Sequence, residues 1–172
     1  MKKIVFLFVL SVFCFGMGAN DKLAGGVKPS EDVVLDKEYE KSAKIFKESC
    51  EKGNMYNCYN LGKFYSDGRG VIQSDINALK YFQISCDGRL PYGCFMLGEI
   101  FYNQKDFEKA VNNYSLSCDY GDDKGCLKLA EAYYAGEGVA KDLSKARDLS
   151  QKACQMGNDK ACIAYENLKQ QQ

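Results

Sequence analysis

Apolar and small residues recur at intervals of three and four through four ten-residue stretches, "KSAKIFKESC", "NALKYFQISC", "KAVNNYSLSC" and "KARDLSQKAC". Eight positions before each closing cysteine stand Ser42, Ala78, Ala110 and Ala146, and four before it Phe46, Phe82, Tyr114 and Ser150. Ser49, Ser85, Ser117 and Ala153 immediately precede the cysteine. On a 3.6-residue helix these offsets and the cysteine share one stripe, so each stretch is expected to form an amphipathic helix with that stripe buried. Ser74, Asp106 and Asp142, twelve residues before their cysteines, occupy the expected N-cap positions. Gly53, Gly121 and Gly157, three residues past the cysteine, suit a left-handed helix stop, with Arg89 in the equivalent place of the second unit.

A second helix is expected around a following cysteine, as in "NCYNLGKFYSDG" and "GCLKLAEAYYAG". Small Gly62, Gly98 or Ala130 would let its partner approach closely. Glycine pairs in "DGRGV" and "AGEGV" end that helix and turn the chain, whereas the second unit reads "FYNQKDFEKA" and is four residues shorter. A unit of this size cannot bury its own apolar face, so units must stack. The expected fold is all-α, an α-solenoid of about four helix–turn–helix repeats. It spans residues 36–168, between an N-terminal tail at 20–35 and a polar C-terminal tail at 169–172.

Cysteine usage adds the next constraint. Cys50/Cys58, Cys86/Cys94, Cys118/Cys126 and Cys154/Cys162 all have the spacing C-x7-C, and successive pairs begin 36, 32 and 36 residues apart. The ninth cysteine, Cys14, lies in "MKKIVFLFVLSVFCFGMGAN", which reads as a signal peptide over residues 1–19. Its features are Lys2 and Lys3, a short apolar run, and small Gly16, Gly18 and Ala19 for cleavage. A lipidated Cys14 would want a small residue before it, where Phe13 stands. Cleavage leaves an even set of eight cysteines in an exported chain, which favours structural disulfides that staple each unit. Each such loop contributes about 2.5 kcal/mol in the chain-entropy model, and four together about 10 kcal/mol.

Zinc is disfavoured, because thiolate knuckles use two to four intervening residues and histidine is absent. The acids Asp119, Asp122 and Asp123 suggest calcium, but the other units do not keep them. No C-x-x-C redox motif occurs. No metal or cofactor is expected. Charge excludes more than it selects. The 23 basic and 23 acidic residues balance, and loss of Lys2 and Lys3 leaves a slight acidic excess. Neither nucleic acid nor an anionic membrane is an expected partner.

The stretches "AKIFKESCEKGNMYNCYNLGKFYSDGRGV" and "EAYYAGEGVAKDLSKARDLSQKACQMGNDKAC" resemble Sel1-like repeats, and more closely those of the Helicobacter cysteine-rich protein family. The resemblance implies a tetratricopeptide-like right-handed superhelix with disulfides inside each repeat. It also implies a name, since members of that family are described as penicillin-binding or as weak β-lactamases. Serine β-lactamase chemistry needs S-x-x-K with S-D-N and K-T-G elements. Only Ser49-Cys50-Glu51-Lys52 fits the first, on the stripe expected to be buried, and the other two are absent. No catalytic residue is therefore assigned.

The leading expectation is a secreted or periplasmic scaffold, monomeric and without a membrane anchor once the signal is removed, that binds a protein or extended peptide. Asn77, Tyr81, Lys109 and Asn113, which flank the buried stripe of the first helices, are the candidate groove contacts. A penicillin-binding protein with weak β-lactamase activity is the alternative.

Overall fold

The computed structural model describes residues 31–170, which fold into eight helices and, among these residues, no strand. The expected signal segment at 1–19 and residues 20–30 of the expected tail lie outside the described residues. The helices are α1 (Glu31–Glu51), α2 (Met55–Asp67), α3 (Asp75–Asp87), α4 (Pro91–Asn103), α5 (Phe107–Asp119), α6 (Asp123–Ala135), α7 (Leu143–Gln155) and α8 (Asp159–Lys169). Each packs chiefly on its neighbours in the chain, the arrangement of a solenoid.

Cap chemistry sets most of the boundaries. Ser74, Asp106 and Asp142 cap α3, α5 and α7 through their side chains, and Asn54, Asp122 and Asn158 do the same for α2, α6 and α8. The first unit has Glu38 in the cap position, which offers the chain no stop. Accordingly α1 runs back to Glu31, into the stretch expected to be tail, and reaches 21 residues against 13 for α3, α5 and α7. The second helices begin three residues before their cysteine rather than at it, so that cysteine sits on the first turn.

Five of the seven connections are the same three-residue turn. In each, the residue before the next helix donates its N–H to a carbonyl five positions back, as in Asn54 to Ser49 at 3.0 Å and Asp122 to Ser117 at 3.0 Å. The middle residue is left-handed: Gly53, Gly121 and Gly157 have φ of 90°, 96° and 97°. Arg89 and Lys105 take the same role at φ of 61° and 62°, where a side chain costs about 1 kcal/mol. The Lys105 turn explains the short second unit. It joins α4 to α5 with the turn used elsewhere within helix pairs, replacing the seven-residue links Gly68–Ser74 and Gly136–Asp142. In those long links Gly70 and Gly138 press against the backbones of Tyr39 and Phe107, where a Cβ would not fit.

The expected stripe is buried from α3 onward except at Cys154, which is half-buried. Ala78, Phe82, Ser85 and Cys86 are buried, as are their counterparts Ala110, Tyr114, Ser117 and Cys118. Disulfides join Cys50–Cys58, Cys86–Cys94, Cys118–Cys126 and Cys154–Cys162, with Cα atoms 4.4–4.7 Å apart. Beside the bridges, Gly93 and Gly125 bring each second helix onto the serine before the first cysteine. A Cβ on either would fall 2.7 Å or 2.5 Å from that serine's side chain.

The two buried serines differ in partners. Ser117 Oγ lies 2.8 Å from Asp122 Oδ2 and 3.1 Å from the Pro91 carbonyl. Ser85 Oγ has no partner, because the turn residue equivalent to Asp122 is Leu90. Ser117→Ala should therefore cost about 1–3 kcal/mol, since it removes a donor from the buried Asp122 carboxylate. Ser85→Ala should be neutral or slightly stabilising, and urea unfolding of both variants checks the contrast. Arg89→Gly should add about 1 kcal/mol by relieving the left-handed strain, read as a higher urea midpoint at unchanged slope.

Candidate peptide-binding groove

Asn77, Tyr81, Lys109 and Asn113, the residues expected to contact a partner, lie outside the recess between α4, α6 and α8. Tyr81 is buried in the first core cluster, where its ring stacks on Tyr65 with centroids 5.5 Å apart and planes 3° from parallel. It joins the first unit to the second and is a packing residue, not a free contact. Asn77 is half-buried in the first turn of α3, its N–H held by the Ser74 cap. Lys109 is exposed but folds back on Asp106, with its ammonium 5.3 Å from the Phe101 ring centroid. That pairing holds the Asp106 carboxyl below its ordinary pKa. Asn113 donates to the Lys109 carbonyl at 2.8 Å.

That recess lies instead on the second helices. It has a volume of ≈ 880 Å³ between the end of α4, α6 and α8. A side lobe of ≈ 460 Å³ extends it toward Phe95 and shares Leu127, Glu131 and Lys160, so the two form one groove. Repeat register builds this face. One, five and eight residues past the second cysteine, α4 places Phe95, Glu99 and Tyr102, and α6 places Leu127, Glu131 and Tyr134. On a helix these offsets fall on one stripe. Leu127, Ala130, Ala164 and Leu168 give the groove an apolar floor, with Tyr102 and Tyr134 half-exposed at one end. Lys160, in the first turn of α8, lies toward the other end.

The recess has a cause in the packing between units. Gly62 on α2 faces the Phe82 ring of α3, and a Cβ there would fall 2.7 Å from the ring. Gly98 on α4 faces the Tyr114 ring of α5 in the same way, at 2.5 Å. The third pair is Ala130 on α6 and Ser150 on α7, and both line the recess. A serine thus stands where the preceding units insert an aromatic ring, and Ser150 and Ala130 lie buried at the base of the recess. The signal was present in the sequence as Ser150, the one non-aromatic residue four positions before a first cysteine.

Carboxylates and phenols order the end of the groove nearest Tyr102. Tyr114 donates to Glu99 Oε1 at 2.6 Å, and burial together with that bond holds its phenol far above its ordinary pKa. The hydrogen bond and the charge of Glu137 push the Tyr102 phenol up. Lys128 pairs with Glu131 at 2.9 Å. Burial alone would lower the Lys128 ammonium, but Glu131 and Glu99 outweigh it and leave its pKa raised. Asp123 in the side lobe is engaged by Asn158, whose Nδ2 donates to it at 2.6 Å.

The S-x-x-K serine has a structural occupation. Ser49 Oγ accepts from Asn57 Nδ2 at 2.7 Å, tying α1 to the first turn of α2, while Lys52 is exposed in the turn. Among the described residues no group of three or more histidine, cysteine or acidic side chains converges to hold a metal ion. None of the described helices is long and apolar enough to cross a membrane.

The Sel1 repeat pattern matches residues 58–89, 91–122 and 123–158. This frame pairs α2 with α3, α4 with α5 and α6 with α7, so the disulfides link successive repeats, where a bridge inside each repeat had been expected. The structure is similar to a Sel1 repeat protein from Oxalobacter formigenes, with a TM-score of 0.68 and 26% identity over 72% of this chain and 96% of that one. It is similar also to Helicobacter pylori cysteine-rich protein B, with a TM-score of 0.61 and 30% identity over 74% of this chain and 95% of that one. No curated protein matches the chain significantly. Four disulfides and a cysteine-rich relative point to an extracytoplasmic protein. With three matched repeats over more than half its length, the chain belongs to the Sel1 repeat family.

Proposed function

We propose that this protein is an exported scaffold, periplasmic or secreted, that receives an extended segment of a partner protein in the groove across α4, α6 and α8. The observation that carries the reading is the recess with Ser150 and Ala130 at its base, which has an apolar floor and polar walls on helices. Helical-repeat folds present one such surface from side chains in register, and a groove of this size takes several residues of an extended chain. The disulfides support the reading by fixing neighbouring helices before any partner arrives, which reduces the ordering cost of binding. Export is supported by the same bridges and by the leader-like residues 1–19, whose removal would take away Cys14 and leave only the four bridged pairs.

Transplanting the Gly98/Tyr114 pair tests the groove. Ala130→Gly combined with Ser150→Tyr should fill the recess as Tyr114 fills its own site, with thermal stability retained. Peptides selected from a random display library on the oxidised protein should lose at least about tenfold in affinity for this variant, equivalent to about 1.4 kcal/mol. Selected peptides that bind the filled variant unchanged would place the binding surface elsewhere. For export, the mature protein purified from cells should begin at Ala19 or Asn20. Mass spectrometry should find no alkylatable thiol before reduction and eight after it.

A further inference from the structure

The chemistry of the groove is not uniform along its length. At the Tyr102 end, α4 and α6 both present their C-termini, and neither carries a basic residue in its last turn. The partial negative charge of those two ends is therefore left uncompensated by the helices themselves. Glu131 and Glu137 line the same end, and only Glu131 has an ammonium partner, Lys128. Among the described residues Glu137 pairs with no cation. Tyr102 and Tyr134 are 41% and 45% exposed there, the Tyr102 ring packing edge-on against Phe107 on one side. Tyr134 already draws the Lys141 ammonium to 5.4 Å from its ring centroid. Carboxylate, helix C-terminus and aromatic face all favour positive charge, and beside them lies the apolar floor of Leu127, Ala130, Ala164 and Leu168.

We propose that the segment taken by this groove carries a lysine or arginine flanked by small apolar residues. Its cationic head sits among Tyr102, Glu131 and Glu137, and its flanks lie on the α6–α8 floor. The assignment rests on the groove reading above and adds the chemical class of the occupant. Charge complementarity carries it: the Glu137 carboxylate, hydrogen-bonded by Tyr102 but paired with no cation, and the C-terminal ends of α4 and α6 are met by one cation. An acidic segment would instead bring like charges together. Lysine and arginine also suit a half-apolar site, because their methylene stems pack on aliphatic and aromatic surface while the head stays polar.

The test uses the oxidised, exported protein and three labelled nonapeptides of alanine, leucine and proline that differ only at the central residue, which is arginine, norleucine or glutamate. Fluorescence anisotropy should place the arginine peptide at least about tenfold tighter than the norleucine peptide, with the glutamate peptide weakest. Raising the salt should narrow that gap. Glu137→Gln keeps a hydrogen-bond acceptor for Tyr102 and leaves the Lys128–Glu131 pair alone, and it should bring the arginine and norleucine affinities together. Equal binding of those two peptides by the unsubstituted protein would overturn the cation assignment. So would an arginine preference that survives Glu137→Gln, or no binding of any peptide. The Ala130→Gly with Ser150→Tyr variant separates this failure from failure of the groove itself. Peptides that bind equally but are all lost on filling leave the groove reading standing, whereas arginine-peptide binding unchanged by filling removes both.

Discussion

The disulfide across four of the five tight turns is the constraint on which the structure depends. It joins the last turn of one helix to the first turn of the next, so each antiparallel pair is closed covalently at one end. The turn between the cysteines must fold in three residues with a left-handed middle position, and the bridge holds it there even where Arg89 occupies that position. Cys58, Cys94 and Cys126 are fully buried, so the bridges also serve as core side chains. In the Sel1 frame they lie between repeats, which changes their meaning. A linear array is stabilised through its nearest-neighbour interfaces, and a covalent link at every interface prevents one repeat from peeling away from the next.

Interfaces without a bridge rely on size matching. The α2–α3 and α4–α5 contacts set glycine against a ring, Gly62 against Phe82 and Gly98 against Tyr114. Close helix approach and ring burial then come from the same pair. The tyrosine at the second interface also sends its hydroxyl to Glu99, so a polar tip is satisfied at the edge of an apolar contact. At the third interface the pairing changes to alanine and serine, and Ser150 turns its hydroxyl back to the Ala146 carbonyl at 2.8 Å. Its hydroxyl is satisfied within α7, so it needs no polar partner from a neighbouring helix.

Features set by near neighbours were legible in the sequence. The caps at Ser74, Asp106 and Asp142, the cysteine spacing and the stripe through Ala78, Phe82, Ser85 and Cys86 depend on one helix and its turn. The length of α1 was missed, since the stretch from Glu31 was expected to be tail although no capping residue stands at Glu38. The recess was not legible either, beyond the one departure at Ser150, because it depends on how whole units stack. Tyr81 lies beside the buried stripe of α3, yet Tyr65 from the preceding unit covers it. A helix seen alone cannot reveal that cover. The same limit hid the groove, whose walls come from three second helices separated by more than thirty residues at each step.

The two scales are connected at Ser150. Regular positions of a repeat carry the load common to all units, so their residues report on folding more than on binding. A departure at such a position removes a piece of that common core, and the structure must either collapse around the gap or leave it open. Here covalent bridges at Cys118–Cys126 and Cys154–Cys162 hold α5 to α6 and α7 to α8, on both sides of the α6–α7 contact. Lys152 reaches the Cys118 carbonyl at 3.3 Å and Asn158 reaches Asp123 at 2.6 Å, so the two clamped pairs are also tied to each other. Collapse into the gap would have to break those ties. The proposed groove therefore lies beside two clamped pairs, and rigidity built for stability would keep it preformed.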